Sequence, residues 1–360
     1  MTDIELLREI EPSLERAYTE HMESIGDRRP FSTVGALAAA AGTDTDPLTY
    51  GKVLRTEHEE HMNSTVEQLG VDFRPLLAAS FFVNLLTEDN LPHYTSRIHS
   101  KVYESPALST FANEWTAEEA THGILMRDYA LMTGIIGDQE TSAISHAEYE
   151  AGRTQQLRTG TEINPSNLQN AFAYLTLQEL LTKEAHNKQS WTLAPSGRKI
   201  MRPISGDEHN HYEFYRKSSE ASLEADPDGT LIEMQTVYGQ FSMPGRIGIP
   251  VFDEHAFTIG ISGIFDLETI TRAKQQIVAR LGIEHVRPAS DQAKAAQEAL
   301  LEATTDRAVD KDKRTMERLR ESAPTELDNG LAPFILGKTV EFTYSGAPGY
   351  ERATGLQRIA

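Results

Sequence analysis

Between residues 75 and 285 the apolar positions recur with helical rather than alternating spacing, and the chain reads as a succession of long helices. Pro75 suits a first helical position, and the run Leu76 to Leu86 behind it is apolar on nearly every side, as in a buried helix. A second helix is expected over Ser109 to Met132, stopping near Gly134. A third opens around Asn164-Pro165 and carries Phe172, Leu175, Leu177, Leu180 and Leu181. A fourth begins near Ser196 and runs to about Leu223, ahead of the turn Asp226-Pro227-Asp228-Gly229. Two more helical patterns cover Leu231 to Phe241 and Asp266 to Leu281. Residues 288 to 322 are charged and helical in pattern, and Gly- and Pro-punctuated segments follow with one strand-like run, Lys338 to Tyr344. The pattern predicts an all-α protein with a leading helical region (1–70), a central core (71–285) and a C-terminal helical or irregular appendage (286–360).

Composition narrows the function. No stretch approaches the ~20 apolar residues of a membrane span; the alanine-rich run Val34 to Ala41 stops at Gly42. The opening MTDIELLREIE is acidic and amphipathic, unlike a secretory signal, so a cytoplasmic location is expected. Cysteine is absent, which excludes disulfides, iron–sulfur clusters and thiolate zinc sites and suits a reducing compartment. The net charge of −20 argues against general nucleic-acid binding. Any bound metal must therefore be held by carboxylates and imidazoles.

Two helical segments contain Glu-x-x-His: Glu119-Ala120-Thr121-His122 and Glu208-His209-Asn210-His211. Positions i and i+3 share a helix face, so each pair can address one metal ion. One such tetrapeptide is weak, because 12 His and 54 acidic residues produce chance matches on solvated faces. The wider arrangement is stronger. Upstream of each pair, a Glu sits within an apolar helix: Glu88 in LLTEDNLP and Glu179 in LTLQELLT, at separations of 31 and 29 residues from Glu119 and Glu208. A lone Glu from each of two helices plus Glu-x-x-His from two others is the ligand set of ferritin-like di-iron bundles.

Charge supports this reading. A Glu inside an apolar helix is costly to ionise unless it is paired or metal-bound. Four carboxylates and two Fe2+ ions with neutral imidazoles make a formally neutral core. Mixed N/O donors without thiolate suit iron or manganese better than calcium or structural zinc. Glu118 and Asp207 each precede a ligand Glu, and each is expected to reach the histidine of the opposite pair and orient it.

Five strings carry a family resemblance: LLTEDNLPHY, WTAEEATHG, LQELLTKEAHN, GDEHNHYEFY, and the later pair EADPDGT and SMP. In order and spacing, over roughly residues 75 to 285, they resemble the soluble acyl-[acyl-carrier-protein] desaturases of plants and actinobacteria. The resemblance implies a ferritin-like helical bundle with a di-iron core and flanking helices. It implies iron ligands Glu88, Glu119, His122, Glu179, Glu208 and His211, with Thr182 on the oxygen-binding side. It further implies O2-dependent desaturation of a fatty acyl chain on acyl carrier protein, a ferredoxin-type electron donor and a homodimer. An unactivated C–H bond offers no acid–base handle, so a metal-based oxidant in a dry channel is what this chemistry needs.

The chain also departs from that family. Plant members carry an N-terminal Trp near the site, whereas the only tryptophans here are Trp115 and Trp191, and residues 1–70 and those past 285 do not match convincingly. Among alternatives, the radical-generating subunit of ribonucleotide reductase has a tyrosine four residues after the first metal histidine, where this chain has Met126. Ferritins and rubrerythrins are shorter and lack TED-LP and SMP. Hydroxylation of the same substrate class, and a non-catalytic acyl-carrier-binding paralogue, are further readings. Acyl carrier proteins are acidic, and the basic clusters Arg198, Lys199, Arg202 and Arg216, Lys217 are docking candidates on an acidic chain. The run Glu57-His58-Glu59-Glu60-His61 reads as a solvated helix face, and Asn63-Ser64-Thr65 as a chance glycosylation match. His209 lies ~100° around the helix from the ligand face and is not expected to bind the same metal.

Overall fold

A computed structural model describes residues 1–25, 32–69, 72–102, 104–138, 142, 144–159, 164–244, 246, 248–250 and 252–322. The strand-like run expected at Lys338 to Tyr344 lies outside them. The helices are α1 (Asp3–Ile25), α2 (Thr33–Ala41), α3 (Pro47–Leu69), α4 (Arg74–Asp89), α5 (Leu91–Val102), α6 (Pro106–Thr133) and α7 (His146–Thr159). They continue as α8 (Leu168–Ser190), α9 (Pro195–Ala225), α10 (Pro227–Gln240), α11 (Phe252–Ser262), α12 (Leu267–Arg280), α13 (Asp291–Ala303) and α14 (Asp306–Ser322). Two-residue strands β1 (Ile136–Gly137) and β2 (Ile144–Ser145) pair in parallel beside α7 and leave the all-α character intact.

Local chemistry explains where the bundle helices begin and end. Ser105 accepts the Leu108 N–H at the start of α6, Pro106 takes the first helical position, and Gly134 closes the helix at φ +80°. Asn167 caps α8 by accepting the Asn170 N–H, three residues beyond the Asn164-Pro165 start expected from the pattern. Asp226 separates α9 from α10 and accepts the Gly229 N–H. Pro203 lies inside α9, which continues through it. A proline there removes a ladder hydrogen bond, and α9 is supported by its packing against α8 and α1.

Helices α4, α6, α8 and α9 surround the centre, with α8 and α9 the most extensive pair. Among the described residues their apolar faces merge with flanking helices into three cores. Leu6, Leu7, Ile10 and Leu14 of α1 pack with Phe111, Trp115 and Phe214, so α1 is built into the bundle. Residues Ala293, Ala296 and Leu300 of α13 pack against Met234 of α10, and Met316 of α14 is buried. Among the described residues no helix is long and apolar enough to cross a membrane.

Candidate metal centre

The four central helices each bring a carboxylate inward: Glu88 from the last turn of α4, Glu119 from α6, Glu179 from α8 and Glu208 from α9. His122 and His211 follow their glutamates by one helical turn and face the same space. All six are buried, and Glu179 and His211 have no exposed surface. Donor atoms of Glu119, Glu179, Glu208 and His211 lie within 4.8 Å of one another, and a second group consists of Glu88, His186 and Glu208. Glu208 belongs to both groups and links them. His122 Nδ1 is 3.4 Å from Glu208 Oε1 and 3.6 Å from Glu119 Oε2. His211 Nδ1 is 3.0 Å from Glu119 Oε1 and 3.6 Å from Glu179 Oε2.

The two histidines are oriented across the bundle. His122 Nε2–H donates to Asp207 Oδ2 at 3.3 Å, and His211 Nε2–H donates to Glu118 Oε2 at 2.8 Å. With Nε2 so engaged, Nδ1 of each ring is left pointing at the carboxylates, the geometry that fixes tautomer and direction in a metal-binding imidazole. Trp115, which opens WTAEEATHG but has no role assigned by the motif, donates its indole N–H to Glu179 Oε1 at 3.1 Å. The Gly that closes WTAEEATHG also has a role. A Cβ at Gly123 would sit 3.0 Å from Glu88 Cβ, so its absence lets α6 approach α4 at the ligand.

A cation fits this arrangement. Glu88 Oε2, Glu119 Oε1, His122 Nδ1, Glu179 Oε2, Glu208 Oε1 and His211 Nδ1 are all buried without a hydrogen-bond partner. Each orphaned polar atom costs about 1–3 kcal/mol, so six converging on one space would be a large penalty if nothing bound there. Titration tells the same story. Burial pushes Glu88 well above the usual carboxylate range, with the Glu119 and Glu208 charges adding to it, and burial likewise raises Glu179. Burial opposes charge on His122 and His211, yet the surrounding carboxylates raise both imidazoles well above their ordinary value. The cluster holds more negative charge than a dry core tolerates and draws positive charge to itself.

Thr182 sits on α8 one turn beyond Glu179. Its hydroxyl lies 3.1 Å from each of the Gln178 and Glu179 carbonyls and 3.2 Å from Glu208 Oε2, so one proton is shared among three acceptors. Beside it opens a cavity of about 340 Å³ with Glu88, Thr182 and His186 on its wall. Most of the remaining lining is apolar, including Val83, Phe241, Met243, Phe252, Ile264 and Phe265. His186 was missed in the sequence. The available signal is spacing: Glu179, Thr182 and His186 stand at i, i+3 and i+7 and share one face of α8.

Residues 47–328 match the family described as "Fatty acid desaturase". The chain belongs to that family. It is 29% identical over 272 residues to "Putative acyl-[acyl-carrier-protein] desaturase DesA1" of Mycobacterium tuberculosis, covering 74% of either chain. It is 23% identical over 262 residues to "Acyl-[acyl-carrier-protein] 6-desaturase" of Thunbergia alata, covering 67% of this chain and 64% of that one. Its fold is similar to the X-ray structure of putative acyl-ACP desaturase DesA2 from Mycobacterium tuberculosis H37Rv, with a TM-score of 0.53 and 16% identity over 81% of this chain and 98% of that one. Within this fatty acid desaturase the other expected positions divide. His209 is exposed and away from the cluster. His58 is buried, so the Glu57 to His61 run is not the fully solvated face its polarity suggests. Of the basic candidates, Arg216 is held by Glu213 and Glu220, and Lys217 by Glu20. Lys199 and Arg202 remain exposed on α9, with Lys199 donating to the Ala40 carbonyl.

Proposed function

We propose that this chain is an O2-dependent acyl-[acyl-carrier-protein] desaturase that holds two iron ions through Glu88, Glu119, His122, Glu179, Glu208 and His211. The observation that carries the reading is the set of six buried, partnerless donor atoms converging beside a mostly apolar cavity, in a chain of the fatty acid desaturase family. Bound there, a redox-active metal pair supplies the O2-dependent oxidising power needed to remove hydrogen from two adjacent methylenes.

The chain's own residues do the rest. Glu118 and Asp207 hold the two imidazoles in the tautomer that leaves Nδ1 free toward the carboxylates, and Trp115 fixes the rotamer of Glu179. Thr182 presents a hydroxyl at the boundary between carboxylates and cavity, where it can hold a proton against Glu208 Oε2. The apolar lining aligns an alkyl chain and excludes water, which would otherwise intercept an oxidant. By the same reading the carrier protein docks at the basic side chains Lys199 and Arg202, which are exposed on α9. A ferredoxin-type donor, a homodimer and a cytoplasmic location complete the proposal.

The test is aerobic turnover of stearoyl- or palmitoyl-carrier protein by the iron-reconstituted protein with ferredoxin, ferredoxin reductase and NADPH, read by mass spectrometry. A product lacking two hydrogens, abolished by Glu119→Ala, is expected. A product carrying one added oxygen would replace desaturation by hydroxylation. Absence of bound iron from the reconstituted wild type would overturn the reading altogether.

A further inference from the structure

His186 faces the carboxylate cluster and lies outside the six-donor set. It is 2% exposed, and neither Nδ1 nor Nε2 has a hydrogen-bond partner. Its Nε2 is 3.6 Å from Glu208 Oε1, too long for a hydrogen bond. One of its ring nitrogens lies within 4.8 Å of donor atoms of both Glu88 and Glu208, which are themselves that close together. Metal–ligand bonds to N and O donors are about 2.0–2.2 Å long, so two donors on one ion stand up to about 4.4 Å apart, and the 3.6 Å between His186 Nε2 and Glu208 Oε1 falls inside that span. A satisfied core histidine would bond its ring nitrogens to backbone or side chains, and this one does not.

We propose that His186 is a seventh metal ligand, an imidazole that binds the ion on the Glu88 side of the pair from the cavity wall. This rests on the metal-binding reading above and adds a nitrogen donor to it. The Glu179 side draws its nitrogen from His211 and the Glu88 side from His186, while His122 Nδ1 lies against Glu208 and Glu119, at 3.4 Å and 3.6 Å. The imidazoles differ in support. His122 and His211 each donate Nε2–H to a carboxylate, but His186 has no such partner and is positioned by packing alone. Orienting partners of this kind are worth roughly 10–100-fold in metal affinity. The His186 bond is therefore the weakest of the three imidazole bonds, and its loss costs less than loss of His122.

The experiment uses metal-stripped full-length protein titrated with Co2+ and followed by visible absorption, comparing wild type, His186→Ala and His186→Gln. Far-UV circular dichroism establishes that each variant is folded. The wild type should take up two Co2+ per chain. Both variants should keep one unchanged binding step, weaken the other about tenfold, and shift the visible bands as a nitrogen donor is lost. In Co2+-loaded wild type with 15N-labelled histidine, hyperfine-shifted ring signals from three histidines are expected, a readout that needs no variant. Isotherms and spectra identical to wild type, or signals from two histidines, would overturn the assignment while leaving the six-donor centre standing. A wild type that binds no Co2+ would remove the metal-binding reading and this inference together.

Discussion

Trp115→Phe tests whether the tertiary hydrogen bond to Glu179 supports the centre. The indole is fully buried and donates to the Oε1 of a carboxylate that is itself fully buried, so no water is on hand to replace the lost donor. Leaving a buried acceptor unsatisfied costs about 2 kcal/mol, and the smaller ring forfeits about 1 kcal/mol more through the space it leaves. The sum, about 3 kcal/mol, should be visible in urea unfolding as a lower midpoint at unchanged slope. A double-mutant cycle with Glu179→Leu, which removes the acceptor that a glutamine would keep, separates the two contributions. The hydrogen bond belongs to the pair, so about 2 kcal/mol should appear as coupling, whereas the packing loss should appear in Trp115→Phe alone. Metal affinity should also fall, because Glu179 is then free to leave the rotamer that faces His211. Additive single-variant effects within about 0.5 kcal/mol, with metal affinity unchanged, would refute the assignment of Trp115 as a positioning residue.

Two other outcomes follow from the geometry. Asp207→Asn should weaken metal binding roughly 10–100-fold by releasing His122 Nε2 from its anionic acceptor; calorimetric titration matching wild type would show that packing alone orients the ring. His58 is held down to about 4 by burial, then by the nearby His61 and Arg74 charges, against an ordinary value near 6.5. The unfolded chain therefore takes up the proton first, so the contribution is complete above pH 6.5 and is lost as pH falls toward 4. The loss is about 2 kcal/mol between pH 7 and pH 5. Urea midpoints should show that slope in wild type and lose it in His58→Leu; an equal slope in both would locate the acid sensitivity elsewhere.

What could be read from the sequence is what depends on short stretches of chain. The 3.6-residue period placed α4, α6, α8 and α9 to within a few residues, and caps at Ser105, Asn167 and Asp226 account for their actual starts and stops. The i, i+3 spacing of Glu119 with His122 and of Glu208 with His211 put each pair on one face before any fold was known, because helix geometry is local. Glu118 and Asp207 each stand one residue from a glutamate of the cluster, and their carboxylates meet His211 and His122 across the bundle.

Only the tertiary structure decided how those faces meet. That Glu208 is shared by two groups of donors, that Gly123 lets Glu88 close on α6, and that Trp115 reaches Glu179 are all consequences of distances between helices. His186 was hidden in LQELLTKEAHN, since a lone histidine on an apolar helix is ordinarily a core residue until its surroundings are seen to lack a partner. The leading helical region carries no motif that ties it to the centre, and it is packing that buries Leu6, Leu7, Ile10 and Leu14 of α1 beside Trp115. Helix separations are set by the summed packing of many apolar side chains, each worth little and none carrying a motif. Local spacing could therefore announce the donors, and packing alone could decide which of them share an ion.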